Sequence, residues 1–296
     1  MRLYHVNAFT RIPFTGNPAT VVLDADGQSD AALLRIAKEY APAEVAFVSA
    51  ATAADHDLRV RFFNARKEAP FVGHATVAAH AVLRSIGERT AGICRQQSGT
   101  GIIEVRMSER QADLVEFRQL PPELGGPLTR ESTLRIADAL RLSKSHLHAT
   151  RPVCVARKGG ARMLVPVSDA GALATLAPDV DTLLELGCEF KVDGFFTFAV
   201  EKVAKTGSLA TEARMFCPAL GIAEDPVSGN AHAMLAAYLW QLGEFEGLSH
   251  AFVGRQGGQM QRPGEVAVEL ETSRGELAAV RIGGSAIIIS QGVLLH

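Results

Sequence analysis

The sequence predicts an α+β protein built from two pseudo-symmetric lobes, and three observations lead there. First, stretches with the two-residue alternation of strands are interleaved with stretches of helical spacing along all 296 residues, a length that suits two domains. Second, Arg61-Phe62-Phe63 leads through a loop into Gly73-His74-Ala75-Thr76-Val77-Ala78-Ala79, and Arg214-Met215-Phe216 leads likewise into Gly229-Asn230-Ala231-His232-Ala233-Met234. The shared order of strand, acidic loop, glycine and alanine-rich helix reads as an internal repeat, with chance recurrence of small residues at helix starts as the plainer alternative. Third, Pro121-Pro122-Glu123-Leu124-Gly125-Gly126-Pro127 has the composition of a link between lobes. The expected lobes therefore cover 1–120 and 121–284.

Each element follows from local pattern. Alternation over Leu3 to Ala8 predicts a strand, and Ala19 to Leu23 a second, joined through the turn Gly16-Asn17-Pro18. Ser29 is placed to cap a helix carrying Leu33, Leu34, Ile36 and Ala37, before strands at Glu44 to Val48 and Leu58 to Phe63. Gly73 opens a helix through Leu83 that ends at Gly87, and strands follow near Ile102 to Met107 and Ala112 to Phe117. Beyond the link, helices are expected near Ser132 to Leu140 and Pro178 to Leu186, with strands near Val153, Val165, Phe196, Ala213, Val253, Val268 and Ile287.

Composition narrows the functional classes. Hydrophobic residues make up 47% and charged residues 21%, as in a folded globular chain. The 30 basic and 32 acidic residues are interspersed and sum to −2, leaving no electrostatic footprint for nucleic acid. One Trp and three Tyr provide no platform for stacking bases. The start MRLYHVNAFTRIPF has no apolar leader core and no run is long enough to span a bilayer, so a cytoplasmic location without membrane contact is expected. The four cysteines are far apart, and His146 and His148, although spaced to share a strand face, have no third ligand nearby. No metal and no cofactor is called for.

Candidate chemistry gathers at the two echoed segments. A glycine before a helix presents unpaired N–H groups and the positive end of the helix dipole, which suits a carboxylate, and two such starts facing one cleft would make a stronger site than either alone. Glu44 lies in the apolar run Ala43-Glu44-Val45-Ala46-Phe47-Val48, where burial would raise its pKa toward a range useful for proton transfer; a solvated strand face is the plainer reading. Asp225 precedes Pro226 beside the second helix start and is either a second acid/base or a turn-forming Asp-Pro. His74 follows Gly73 at a helix start that favours the neutral ring, as a relay or as a packing histidine. Two other motifs fail. Gly99-Thr100-Gly101 lacks the third glycine and the helix of a dinucleotide loop, and Ser228 has Pro226 where a hydrolase nucleophile elbow needs glycine.

The ordered set Gly16-Asn17-Pro18-Ala19, Glu44 in Glu-x-Ala-Phe-Val, Gly73-His74-Ala75-Thr76, Glu224-Asp225-Pro226 with Gly229, Gln256-Gly257 with Arg262, and Gly283-Gly284 resembles the PhzF-like isomerases of phenazine biosynthesis. The resemblance runs nearly end to end. It implies a diaminopimelate epimerase-like fold, each lobe a curved mixed sheet around a central helix, with the last strand in 285–296 returning to the first lobe, and a homodimer. It also implies that Glu44 is the principal acid/base, that Asp225 and His74 assist, and that Asn17, Gly73, Ser228, Gly229 and Asn230 hold substrate. Three departures bear on substrate preference. Ala43 and Val45 flank Glu44 where the family usually has Ser and Thr, Asn230 replaces a Ser, and Asn64-Ala65 replaces Thr-Pro. The related racemases use two opposed cysteines, whereas Val72 and Ser228 stand at those positions here, which leaves carboxylates and histidine as bases.

The resulting expectation is a cofactor-independent isomerase that moves a proton on a small carboxylate-bearing substrate. Two rivals use the same cleft: a catalytically silent small-molecule binding protein, and a cofactor-free lyase or hydrolase. Solvent-isotope incorporation separates the first rival and product mass the second.

Overall fold

The computed structural model describes residues 1–203, 208–245 and 249–295. The chain divides into two compact units, Met1–Gln119 with Ile282–His296, and Leu120–Arg281.

The first unit contains β1 (Arg2–Ala8), β2 (Asn17–Leu23), α1 (Asp30–Glu39), β3 (Glu44–Ala50), β4 (Leu58–Phe63), β5 (Glu68–Ala69), α2 (Gly73–Ser85), β6 (Gly92–Ser98), β7 (Gly101–Met107) and β8 (Val115–Gln119). Strand β1 pairs antiparallel with β2, β2 parallel with β3, β3 antiparallel with β4, and β4 parallel with β6, which runs antiparallel to β7. The sheet curls round α2, which touches β1, β2, β3 and β8. That helix is accordingly apolar on nearly all sides, with Ala75 through His80, Val82 and Leu83 buried, as a central helix must be. Helix α1 covers the outer face. Ser29 accepts a hydrogen bond from the Ala32 amide, and Leu33 and Ala37 pack on Phe47 and Phe63.

The second unit contains β9 (Glu123–Leu124), α3 (Arg130–Ala139), β10 (Cys154–Arg157), β11 (Ala161–Pro166), α4 (Ala170–Ala174), α5 (Val180–Phe190), β12 (Gly194–Val203), β13 (Ser208–Cys217), β14 (Ile222–Asp225), α6 (Gly229–Gln241), β15 (Ala251–Gln256) and β16 (Gly264–Ser273). Its pairings repeat those of the first unit. Strands β10 and β11 are antiparallel, β11 and β12 parallel, β12 and β13 antiparallel, β13 and β15 parallel, and β15 and β16 antiparallel. Helix α6 takes the place of α2 and is buried from Ala231 through Leu239. Strand β17 (Glu276–Gly284) carries the chain out of the second unit, and β18 (Ala286–Val293) pairs antiparallel with β1.

The Pro/Gly-rich link carries a short paired segment, Glu123 and Leu124 lying opposite Arg157 and Ala156. One expectation needs correction. His146 and His148 share no strand: Lys144–His146 is a single 3₁₀ turn, and the His148 ring accepts the amides of Thr150 and Arg151. Among the described residues, no helix is long and apolar enough to cross a membrane.

Candidate active site

In the first unit the site is assembled at one end of the parallel pair β2–β3. Asn17 opens β2 and Glu44 opens β3, with Ala19 directly opposite Glu44 in the register, so both side chains sit at the same end of adjacent strands. The turn before Asn17 needs glycine. Gly16 has φ +65°, and a Cβ there would lie 2.3 Å from the Ala8 carbonyl oxygen. Asn17 itself is buried.

Helix α2 starts beside them. Its first turn has no side-chain cap, because Val72 occupies the cap position, so the dipole end is left to other acceptors. His74 in that turn reaches Glu44: Nε2 lies 3.4 Å from Oε2, with the imidazole 11% and the carboxylate 24% exposed. Burial pushes the Glu44 carboxyl upward, but the His74 imidazole beside it, with a backbone amide, outweighs burial and leaves the pKa below the ordinary glutamate value. This reverses the direction expected from the apolar strand alone. Glu44 is therefore an ionised acceptor at neutral pH.

In the second unit Asp225, Ser228, Gly229 and Asn230 lie on one short loop and the start of α6. Asp225 ends β14 opposite Met215. Ser228 is the helix cap, its hydroxyl oxygen accepting the Ala231 amide at 3.3 Å. The Asn230 side chain donates to the Lys158 carbonyl at 3.2 Å, so one of its amide hydrogens is held by the β10–β11 turn. The next turn of α6 is anchored by His232, whose Nδ1 donates to the Ser228 carbonyl at 2.7 Å. Burial lowers the His232 pKa to about 4, so its ring is neutral.

Two elements of this arrangement escaped the sequence reading. Each site loop is clamped at its start by a bidentate Arg–Glu pair. Arg61 Nε and Nη2 donate to Glu68 at 2.8 and 2.6 Å, and Arg214 Nε and Nη2 donate to Glu224, both at 2.8 Å. Each guanidinium also lies over a phenyl ring, Arg61 over Phe63 and Arg214 over Phe216. The repeated Glu-x-Pro-x-x-Gly in 68–73 and 224–229 was the available signal. The second is the part played by Gln256, which the family resemblance includes without a role and whose side chain bonds the backbone of the Asp225–Ser228 loop at both ends.

The Glu44–His74 carboxylate–imidazole pair lies beside an open helix start on a scaffold whose sheet-around-helix unit occurs twice, and the comparisons give the class. The family described as Phenazine biosynthesis-like protein (PhzC-PhzF) matches residues 6–292. The uncharacterized isomerase YddE of Escherichia coli K12 is 33% identical over 293 residues, 97% of this chain and 96% of that protein. The trans-2,3-dihydro-3-hydroxyanthranilate isomerase of Pseudomonas chlororaphis is 27% identical over 98% of each chain. The crystal structure of a PhzF-family phenazine biosynthesis protein from Bacillus anthracis superposes with TM-score 0.86 at 24% identity, covering 100% of this chain and 99% of that one, which establishes the shared fold. The protein is an enzyme of the isomerase class. It belongs to the phenazine biosynthesis-like PhzC-PhzF family.

Proposed function

We propose that the enzyme isomerises a small, unsaturated, carboxylate-bearing substrate by moving a proton between two of its atoms, with Glu44 as the base that takes the proton and gives it back. The observation that carries this reading is the Glu44–His74 pair, 3.4 Å apart at the uncapped start of α2. A partly buried carboxylate held ionised by a neighbouring imidazole can abstract a proton at neutral pH, and the helix start beside it offers N–H groups and a dipole for a substrate carboxylate. His74 steadies the negative charge of Glu44 before transfer, and its ring is available to relay the proton afterwards. Asp225, beside the capped start of α6, is the assisting acid/base residue, while Asn17, Gly73, Ser228, Gly229 and Asn230 bind and orient the substrate. The named activity of the Pseudomonas chlororaphis relative supplies a first substrate to try.

The test is deuterium incorporation from heavy water into trans-2,3-dihydro-3-hydroxyanthranilate, comparing wild type with Glu44→Gln. The amide keeps the shape and loses the proton-transfer capacity, so the exchange rate should fall about a hundredfold to ten-thousandfold, with ligand affinity little changed. A folded Glu44→Gln protein that exchanges at the wild-type rate would remove Glu44 from the mechanism.

A further inference from the structure

We infer that Gln256 is a positioning residue for the second half-site, a role that rests on the functional reading of the Asp225–Ser228 loop given above. Gln256 is the last residue of β15 and is 3% exposed. Its Nε2 donates to the Asp225 carbonyl at 2.6 Å, and its Oε1 accepts the Ser228 amide at 3.1 Å. One side chain thus spans the loop, pairing a carbonyl and an N–H as a strand would, although Pro226 within the loop has no N–H of its own to give.

The consequence for the site is a division of donors. With its amide committed to Gln256 and its hydroxyl oxygen accepting from Ala231, Ser228 has its hydroxyl hydrogen to offer a ligand. Helix geometry leaves the N–H groups of Gly229 and Asn230 without intrahelical acceptors, pointing the same way. Gln256 therefore sets the donor pattern that a substrate carboxylate would meet, and it fixes the backbone that aims Asp225. The next residue seals the arrangement. Gly257 has φ +87°, and a Cβ there would lie 2.7 Å from the Pro226 carbonyl oxygen and 2.3 Å from that of Arg262.

The first unit shows that this reach is an addition and not a requirement of the scaffold. Register places Ser98 at the position of Gln256, since Leu58 lies opposite Gln96 in β4–β6 as Thr211 lies opposite Gly254 in β13–β15. Gly99 presses on Pro70 as Gly257 presses on Pro226. Ser98, however, is too short to span the loop and bonds within its own turn, to Thr100 and the Gly101 carbonyl.

The experiment uses Gln256→Met, which keeps the length and removes both hydrogen bonds, and Gln256→Glu, which keeps an acceptor for the Ser228 amide and removes the donor to Asp225. Hydrogen–deuterium exchange of the Ser228 amide, measured without any ligand, should quicken about tenfold or more in Gln256→Met and stay near wild type in Gln256→Glu. Steady-state turnover of trans-2,3-dihydro-3-hydroxyanthranilate should fall at least about tenfold in both variants, beyond any loss of folded protein read from the melting curve. Unchanged Ser228 exchange in Gln256→Met, or a loss of turnover that only tracks the folded fraction, would overturn the assignment. If Gln256→Met does not fold, turnover of Gln256→Glu decides. The amide measurement needs no substrate, so it stands even if Glu44→Gln shows that the proton-transfer reading is wrong.

Discussion

Aligned by strand register, the two units are one scaffold furnished twice with different chemistry. Val45 lies opposite Phe63 as Phe195 lies opposite Phe216, which sets Glu44 of the first unit against Gly194 of the second. Phe62 lies opposite Ala69 as Met215 lies opposite Asp225, which sets Ala69 against Asp225. His74 corresponds to Asn230, and Val72 to Ser228. Outside the shared Arg–Glu clamp, each candidate half-site therefore carries one carboxylate, Glu44 or Asp225, at a different place. The first unit pairs its carboxylate with an imidazole at an uncapped helix, and the second combines its own with a capped helix and amide side chains. Common to the two units are the Arg–Glu clamp and the sheet-wrapped helix; the differences lie in the side chains around the two helix starts. On the proposed function, the first unit moves a proton and the second orients what is moved.

The sharpest way to break this division is to remove the two carboxylates separately. Asp225→Asn should lower deuterium exchange by no more than about tenfold, against the hundredfold or greater loss in Glu44→Gln, because general acid/base residues contribute most where they touch the transferred proton. Equal losses would make the two units equal partners in the chemistry.

A second test asks whether the second unit could hold a carboxylate at the Glu44 position at all. A Cβ on Gly194 would lie 2.5 Å from Cys217 Sγ and 2.9 Å from the Phe216 carbonyl oxygen, so even a methyl group must displace backbone. Gly194→Ala should cost about 1–3 kcal/mol of stability in urea denaturation. A neutral outcome would show that the asymmetry is not enforced by packing.

The pairing that distinguishes the first unit can be read by pH. Because the Glu44 pKa is depressed in the folded protein, the pair stabilises the fold above the ordinary carboxylate range, and that contribution is lost as pH falls through the lowered value. His74→Asn copies the second unit. It removes the imidazole and leaves burial opposed only by the backbone amide, so the Glu44 pKa should rise and the acid limb of kcat/KM should move to higher pH. A limb that stays in place would mean that His74 does not hold Glu44 ionised.

Much of this division was legible in the sequence, and the parts that were not share a cause. The apolar alternation gave β3 and β4, the alanine-rich runs gave α2 and α6, and the glycines before them marked both helix starts. Strand β6 was missed because its inward positions are polar: Gln96 and Ser98 are buried while Ile93 points out. Gln96 is accepted inside only because the His80 ring meets it at 2.9 Å, and that partner comes from another element. The same holds for Glu44, whose pKa direction depends on an imidazole 30 positions away in the chain. Gly194 opens β12, and only the register shows it to be the counterpart of Glu44. Local pattern specifies elements, whereas a buried polar group is decided by whichever element supplies its partner.

The smallest expected effect tests the capping difference. Ser228 caps α6 through the Ala231 amide, whereas Val72 gives α2 no side-chain acceptor. Val72→Ser would place a hydroxyl where the α6 cap has one, and a cap of this kind contributes about 0.5–2 kcal/mol, so the melting temperature should rise. If the start of α2 is kept uncapped to receive a substrate carboxylate, the new hydroxyl would compete with the ligand for an amide hydrogen. KM for the carboxylate substrate should then increase by a few fold while kcat, which the proposed function assigns to Glu44, changes less. A stabilised variant with unchanged KM would place the substrate carboxylate elsewhere, and the start of α6 would become the stronger candidate.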